Sequence, residues 1–383
     1  MPHMLTKPAS LLVVCLVSMW GLPAAESAEP VAILAAGVVS NPRQPQAAVG
    51  EDGAIYIAFG AGDAVYCSAS MDGGKSYSAP IRVGEVARLA LGMRRGPRIA
   101  VSSNGLVVTA VSHESGDVLA WRSSDQGRTW TGPVTINDNS PGTANEGLHA
   151  LAVAPNGDLY SVWLDHRSGG QNQIFGSGST DGGMTWGENR MIYRSPSGSV
   201  CQCCHPAVTF DSGGTLYVMW RNSLDGYRDM YTSVSSNGGR TFSTASKLGT
   251  GSWELSTCPM DGGYLAVTGP GQVTTVWRRE NQIFRSERGR RNEQLLGRGE
   301  QPWIAGTPEG SWIVWLSKRG DDLLLAAPET TEPVKLADAA ADPVIAASTT
   351  GEGPVVVVWE EGERNDTRII ARIVGDVPGI ILK

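Results

Sequence analysis

The chain's most reactive side chains fall in one run, Val200-Cys201-Gln202-Cys203-Cys204-His205-Pro206, followed later by Cys258-Pro259-Met260-Asp261. Thiolates and imidazole are soft to borderline donors. Several of them together suit Cu(I), or Zn(II) if they adopt tetrahedral geometry. The candidate ligands are Cys201, Cys203, Cys204, His205 and Cys258, with His149 and Met260 as further donors. The same run satisfies C-x-x-C-H, the attachment pattern of c-type haem, through Cys201, Cys204 and His205. A third chemistry is disulfide bonding, with Cys203 or Cys204 bridged to Cys258, which implies no cofactor. All three stay open at this level. Cys203 and Cys204 are neighbours and would strain the chain if bridged to each other. So tight a run is an awkward way to place simple disulfides, which raises the weight of the metal reading.

The amino-terminal residues set the compartment. Lys7 supplies a positive start, Leu11 to Leu22 an apolar stretch, and Ala25-Glu26-Ser27 a small-x-small cleavage site. This is the pattern of a secretory signal over residues 1–27, too short an apolar stretch for a membrane span. Residues 28–383 then form a single exported domain, periplasmic or secreted, with no other segment able to span a membrane. Of six cysteines in the chain, Cys15 lies in the signal. The remaining five are an odd number, which leaves at least one unpaired within a monomer. Net charge is −7 and no Lys/Arg-rich run occurs, which argues against nucleic acid as a partner.

The elements that position these residues repeat. Ser70-x-Asp72-x-Gly74-x-x-Tyr77 recurs as Ser123-x-Asp125-x-Gly127-x-x-Trp130, Ser179-x-Asp181-x-Gly183-x-x-Trp186 and Ser235-x-Asn237-x-Gly239-x-x-Phe242. Each copy sits in a longer unit of strand, turn, strand, loop, strand, turn, strand. Units open at Pro45, Pro97, Leu148, Pro206, about Asp261, Pro302 and Pro343, and several second strands end in Trp: Trp163, Trp220, Trp277, Trp315 and Trp359. With 48 glycines for turns and 12 tryptophans for core, the expected fold is all-β. It is a β-propeller of four-stranded antiparallel blades, seven favoured and six the alternative, with Asp-box turns in the first four. Ser286-Glu287-Arg288-Gly289 reads as a decayed fifth turn, and Val31–Val39 as a lone strand placed to complete the last blade. Within the turn, Asp or Asn bonds backbone amides and Gly takes positive φ, so these residues are structural.

Strand parity sorts side chains by face. If the Asp-box joins the third and fourth strands, residues before first strands and after second strands share the opposite face. Arg43, Arg94, Arg98, His149, the Cys201–His205 run, Cys258 and Asp261 belong to the first group. Asp165, His166, Arg221, Arg278, Arg319 and Glu360 belong to the second. Arg43, Arg98, Asp165, His166, Arg221 and Arg278 are the candidate ligand-binding residues, and the arginine excess points to an anionic ligand.

The Asp-box marks a resemblance to the sialidase-like (BNR-repeat) propellers over most of residues 28–383. The resemblance implies three arginines that grip a substrate carboxylate. Arg43-Gln44-Pro45 matches the family's Arg-Ile-Pro, while Arg221 and Arg278 follow Trp220 and Trp277. It also implies an Asp acid/base between the first two blades and a late Tyr nucleophile. Here Glu85 is the only acid between the first Asp-box and Arg98, and the last tyrosine is Tyr264. The catalytic residues are therefore unassigned. The expected function is binding of a small anionic or carbohydrate-like ligand, with copper or zinc at the Cys/His run. An exo-sialidase acting on an acidic sugar is the enzymatic alternative, and another exported protein the alternative partner.

Overall fold

The computed structural model describes residues 29–33, 39–269, 271–290, 292–328, 330–348, 353–363 and 365–377. The expected signal, residues 1–27, lies outside them. Strands are the only regular elements among the described residues. They form five four-stranded antiparallel sheets and one of seven strands.

The seven-stranded sheet is two blades sharing a strand. The first half of Val334–Ala346 pairs with Asp321–Ala326, as the outer strand of the sixth blade. Its second half pairs with Gly353–Glu363, as the inner strand of the seventh. Register shifts between Ala341 and Val344, where the shared strand turns from one blade to the next. The inner strands Arg43–Val49, Arg98–Ser102, His149–Val153, Ala207–Phe210, Gly263–Gly269, Glu300–Thr307 and the end of Val334–Ala346 pack side by side in a closed ring. Among the described residues the count is seven blades. The lone amino-terminal strand is Val31–Ala32, and it pairs with Asp366–Val377 as expected, completing the seventh blade. Beside it, Thr367 Oγ1 donates to the carbonyl of Pro42 at 2.7 Å.

Apolar side chains fill the spaces between sheets. Trp163, Trp220, Trp315 and Trp359 are completely buried at equivalent positions of the second strands. The Asp-boxes join third to fourth strands and hold themselves by one recurring set of bonds. Gly74 N donates to Ser70 Oγ at 2.9 Å, and Ser76 N donates to Asp72 Oδ1 at 3.0 Å. In the fourth box Asn237 keeps the amide bond from Thr241 but donates its own Nδ2 to the Thr241 hydroxyl. The boxes also clip each blade to the one before it. Gly239 (φ +80°) lies against the ring of Tyr160 in the third blade, where any Cβ would clash, and Tyr160 OH donates to its carbonyl at 3.2 Å. Ser286 occupies the equivalent turn of the fifth blade, bonding the carbonyl of Asn292 at 2.9 Å.

Box carboxylates titrate low. The Ser76 hydroxyl and amide hold Asp72 at about 2, and Thr129 does the same for Asp125. Burial opposes the effect at Asp181, yet the Thr185 hydroxyl and amide still bring it to about 2. A carboxylate with a depressed folded pKa stabilises above its unfolded pKa, and that contribution is lost as pH falls through the folded one. The thermal midpoint is therefore expected to be level above about pH 5 and to drop between about pH 4 and pH 2. Asp125→Asn, which copies the fourth box, should flatten part of that drop in calorimetry across the pH series.

Candidate functional site: a polar axis, an arginine–carboxylate belt and a sulfur cluster

A channel of about 460 Å³ runs along the propeller axis, lined by all seven inner strands. Its walls are largely apolar, with Ile99, Leu151, Val208, Leu265, Ile304 and Ile345 among them. The lining extends from Arg98, Tyr264 and Trp303 to Glu51, Pro155, Ser212 and Ser348, which lie toward the Asp-box face. Beyond Arg98 the axis is occupied by side chains. Arg94, 3% exposed, enters from the opening of the second blade and donates to the carbonyls of Pro343 and Gln301 in the seventh and sixth. Those blades are not its neighbours, so the guanidinium crosses the axis. It also lies over the ring of Trp303, 5.0 Å from the centroid. His205 stacks on the same indole at 5.7 Å, and Tyr264 at 3.9 Å.

Three blades open with the same local device. Gln44, Gln301 and Asp342 each precede a proline and sit at positive φ (54°, 56° and 46°). At each, the pairing of first and second strands skips a residue. Such a bulge re-aims a side chain, here into the seam between blades. Asp261 Oδ2 accepts from Gln301 N at 2.7 Å. Gln301 Nε2 donates to Asp342 Oδ1 at 3.0 Å, and Asp342 N donates back to Gln301 Oε1 at 3.1 Å. Glu360 Oε1 accepts from Gln44 N at 2.6 Å. Burial raises the Asp261 carboxyl, with Arg94 pulling the other way. Burial and the nearby Asp342 raise Glu360, opposed by the Gln44 amide and Arg43.

Around this axis runs a belt of paired charges. Arg43 Nε meets Glu360 at 2.8 Å, Arg278 Nη1 meets Glu300 at 3.0 Å, and Arg319 Nη2 meets Asp342 at 2.6 Å. The arginine side chains are 22%, 20% and 30% exposed, against 3%, 25% and 2% for the acids. At Arg43 and Arg319 the guanidinium thus stands outward of its carboxylate, while Arg278 and Glu300 are about equally exposed.

The other candidate ligand residues serve the backbone or one another. Arg98 donates to the carbonyls of His149, Gly96, Pro97 and Arg94, and burial lowers it to about 10. Arg221 donates to the carbonyls of Asp261, Arg228 and Arg278 and is 1% exposed. Asp165 is fully buried and accepts from Trp163, Thr143 and Arg167. His166 pairs with Asn145 at 2.8 Å. Hence Arg43 and Arg278 belong to the belt, while Arg98, Arg221 and Asp165 brace the face beneath it. Glu300, Gln301 and Asp342 were not singled out from sequence. The usable signal was a polar residue just before the opening proline.

The sulfur cluster lies in the seam between the fourth and fifth blades, where parity places it. The sulfurs of Cys201, Cys203 and Cys204 lie within 4.8 Å of one another, with Cys201 at 3.8 Å from Cys203 and 3.4 Å from Cys204. All three cysteines are buried. Cys203 is disulfide-bonded to Cys258, which is exposed, while Cys201 and Cys204 are free. Met260 packs against the group. The Cys204 thiol hydrogen-bonds Cys201 and pulls its pKa down, with Arg221 assisting, whereas burial raises Cys204. His205 is not a member. Its ring is 1% exposed, both nitrogens lack a partner among the described residues, and burial keeps it neutral. Gly262 makes room for it: a Cβ there would lie 2.8 Å from the ring. With His205 turned to the axis and both thiols enclosed, the C-x-x-C-H run does not present itself as a haem-attachment site. Cys67, the fifth cysteine, is buried in the first blade.

Residues 111–281 match the BNR repeat-like domain. With its Asp-box turns and ring of blades, the chain is a β-propeller that resembles the BNR-repeat proteins over that stretch. No curated protein matches the sequence. Among solved structures, the Penicillium chrysogenum alpha-L-arabinanase complexed with arabinobiose is 15% identical, with a TM-score of 0.54 over 90% of this chain and 98% of that one. The Staphylococcus aureus virginiamycin B lyase is 12% identical, with a TM-score of 0.55 over 91% and 99%. A PL25 ulvan lyase is 12% identical, with a TM-score of 0.57 over 91% and 96%. At such identities the likeness is one of fold.

Removing one partner from a buried charged network leaves the rest uncompensated, at about 3–5 kcal/mol. Arg94→Met is therefore expected to lower unfolding free energy by about 3 kcal/mol or more, read from the denaturant midpoint. Lys75→Met, on the exposed first Asp-box, should change it by less than about 0.5 kcal/mol.

Proposed function

We propose that this chain is an exported, ligand-binding BNR propeller, and that a carbohydrate-like ligand docks on the arginine–carboxylate belt. One observation carries the reading: each partly exposed arginine of the belt is already matched by a carboxylate. The belt offers donors and acceptors side by side without a large net charge. Hydroxyl-rich ligands need both, whereas a bare anion needs uncompensated positive charge. The arginine excess seen in sequence is thus largely cancelled, which favours a carbohydrate-like ligand over a simple anion. The Nη groups of Arg43 and Nη2 of Arg278 have no hydrogen-bond partner among the described residues, so donors remain for a ligand. An arabinanase of the same fold was solved with arabinobiose, which agrees with a saccharide ligand.

Hydrolysis of sialosides fits less well. Of the three arginines matched to the family clamp, Arg221 is sealed beneath the surface by three carbonyls. The last tyrosine, Tyr264, is stacked on Trp303 at the axis rather than placed late in the ring. Export follows from the amino-terminal pattern alone.

The test is calorimetric titration of the full chain with neutral and uronic-acid oligosaccharides, beside a fluorogenic sialoside assay. Saccharide binding without sialoside turnover is expected, and Arg43→Gln and Arg278→Gln should each weaken binding by about tenfold or more. Turnover of the sialoside, or no binding by any saccharide, would overturn the proposal.

A further inference from the structure

We propose that Cys201, Cys203, Cys204 and Cys258 form a site for one thiophilic d¹⁰ cation, Cu(I) or Zn(II), available only when the Cys203–Cys258 bond is reduced. This is independent of the carbohydrate reading, since none of the four proposed ligands belongs to the arginine–carboxylate belt.

Geometry is the first support. Zinc–sulfur bonds of about 2.3 Å in a tetrahedron place sulfurs about 3.8 Å apart. The Cys201–Cys203 and Cys201–Cys204 separations are 3.8 and 3.4 Å. The chain need only close slightly or open slightly about an ion. Donor chemistry is the second. The surroundings are sulfur, with Met260 packed on the three buried cysteines and His205 turned away. Such a set selects soft cations over calcium, magnesium or manganese. The third support is the environment. Cys201 N is fixed by the carbonyl of Arg221 at 3.0 Å, and the positive charges of Arg221 and Arg228 act on Cys201. Fixed positive charge beside a thiolate cluster offsets the excess negative charge that a monovalent or divalent ion leaves.

Redox gating follows from unequal exposure. Cys258 reaches solvent while its three partners are buried. A low-molecular-weight disulfide RSSR would be attacked by the Cys258 thiolate, forming Cys258–SR and releasing RS⁻. The Cys203 thiolate then attacks the Cys258 sulfur, forming Cys203–Cys258 and releasing the second RS⁻. Two protein thiolates are oxidised and one external disulfide is reduced to two thiolates. Two of four ligands are withdrawn, leaving Cys201 and Cys204 alone with the ion. An external dithiol reverses the sequence.

The experiment uses the full chain, reduced and desalted without oxygen, then titrated in separate arms with Cu(I) and Zn(II) against a competing chelator. One ion per chain is expected in at least one arm, and the tighter arm identifies the ion. Cys258→Ser should weaken binding by about tenfold or more. The double variant Cys201→Ser/Cys204→Ser should abolish it, and Cys67→Ser should leave it unchanged. Oxidised glutathione, applied first, should remove two titratable thiols and most of the binding. Failure of the reduced protein to bind in either arm overturns the site. Binding that persists after oxidation overturns the gate. Melting curves accompany each variant. If the double variant does not fold, Cys258→Ser decides, because its side chain is at the surface.

Discussion

Seven blades closed on one axis bring the opening ends of their inner strands together, where backbone amides no longer have a neighbouring strand to pair with. Burying such groups unpaired is costly. Here a relay of side chains solves the problem on one side of the ring. Asp261 takes the amide of Gln301, Gln301 and Asp342 exchange two bonds, and Glu360 takes the amide of Gln44. The acids recruited for that task are then buried, and buried carboxylates demand counter-charge. Arg94 supplies it at the centre, and Arg43, Arg278 and Arg319 at the rim. The polar surface proposed as a ligand platform is in this sense the outer layer of a structural solution.

The sulfur cluster occupies the same kind of place, in a seam where the solution differs. The fourth blade opens without a Gln-Pro or Asp-Pro bulge. Its approach is instead the Cys201–His205 run, tied to the fifth blade through Cys258 and through the carbonyls that Arg221 gathers. Disulfide or metal, the link joins two adjacent blades at the end opposite the Asp-boxes. The first four blades lean on the previous sheet through their box turns, and at the other end polar or sulfur contacts cross the openings from the fourth blade round to the first.

Much of this was legible in the residues. The Asp-box spacing, the tryptophans ending second strands and the lone Val31–Val39 segment favoured seven blades over six and offered the amino-terminal strand as the closure, because turn chemistry and period-two burial are local properties. The faces were legible for the same reason, and they brought the Cys201–His205 run to the same end as Cys258, with Cys203 or Cys204 as its partner; the structure pairs Cys203. The partners of the arginines were not. Whether Arg221 meets a ligand or three carbonyls depends on residues forty or more positions away, such as Asp261 and Arg278. Pairing of Arg319 with Asp342 depends on a bulge that spacing does not announce. His205 sits one residue from Cys204, yet Pro206 and the strand after it turn the imidazole to the axis and leave the thiol in the seam.

Ring closure also has a meaning in time. Val31 and Ala32 pair with Ala371 and Ile370, so the earliest described strand finds its partner near the far end of the chain. The first blade likewise waits for Glu360 before its Arg43 and Gln44 are satisfied. Contacts of such sequence separation form slowly. The intermediate blades can assemble on their immediate neighbours while the outer faces of the two end blades stay uncovered. Closure buries the apolar faces of the two end blades against each other and covers the edge of Asp366–Val377, so the molecule's exposure to wrong partners at these surfaces is concentrated in the interval before its last seam shuts.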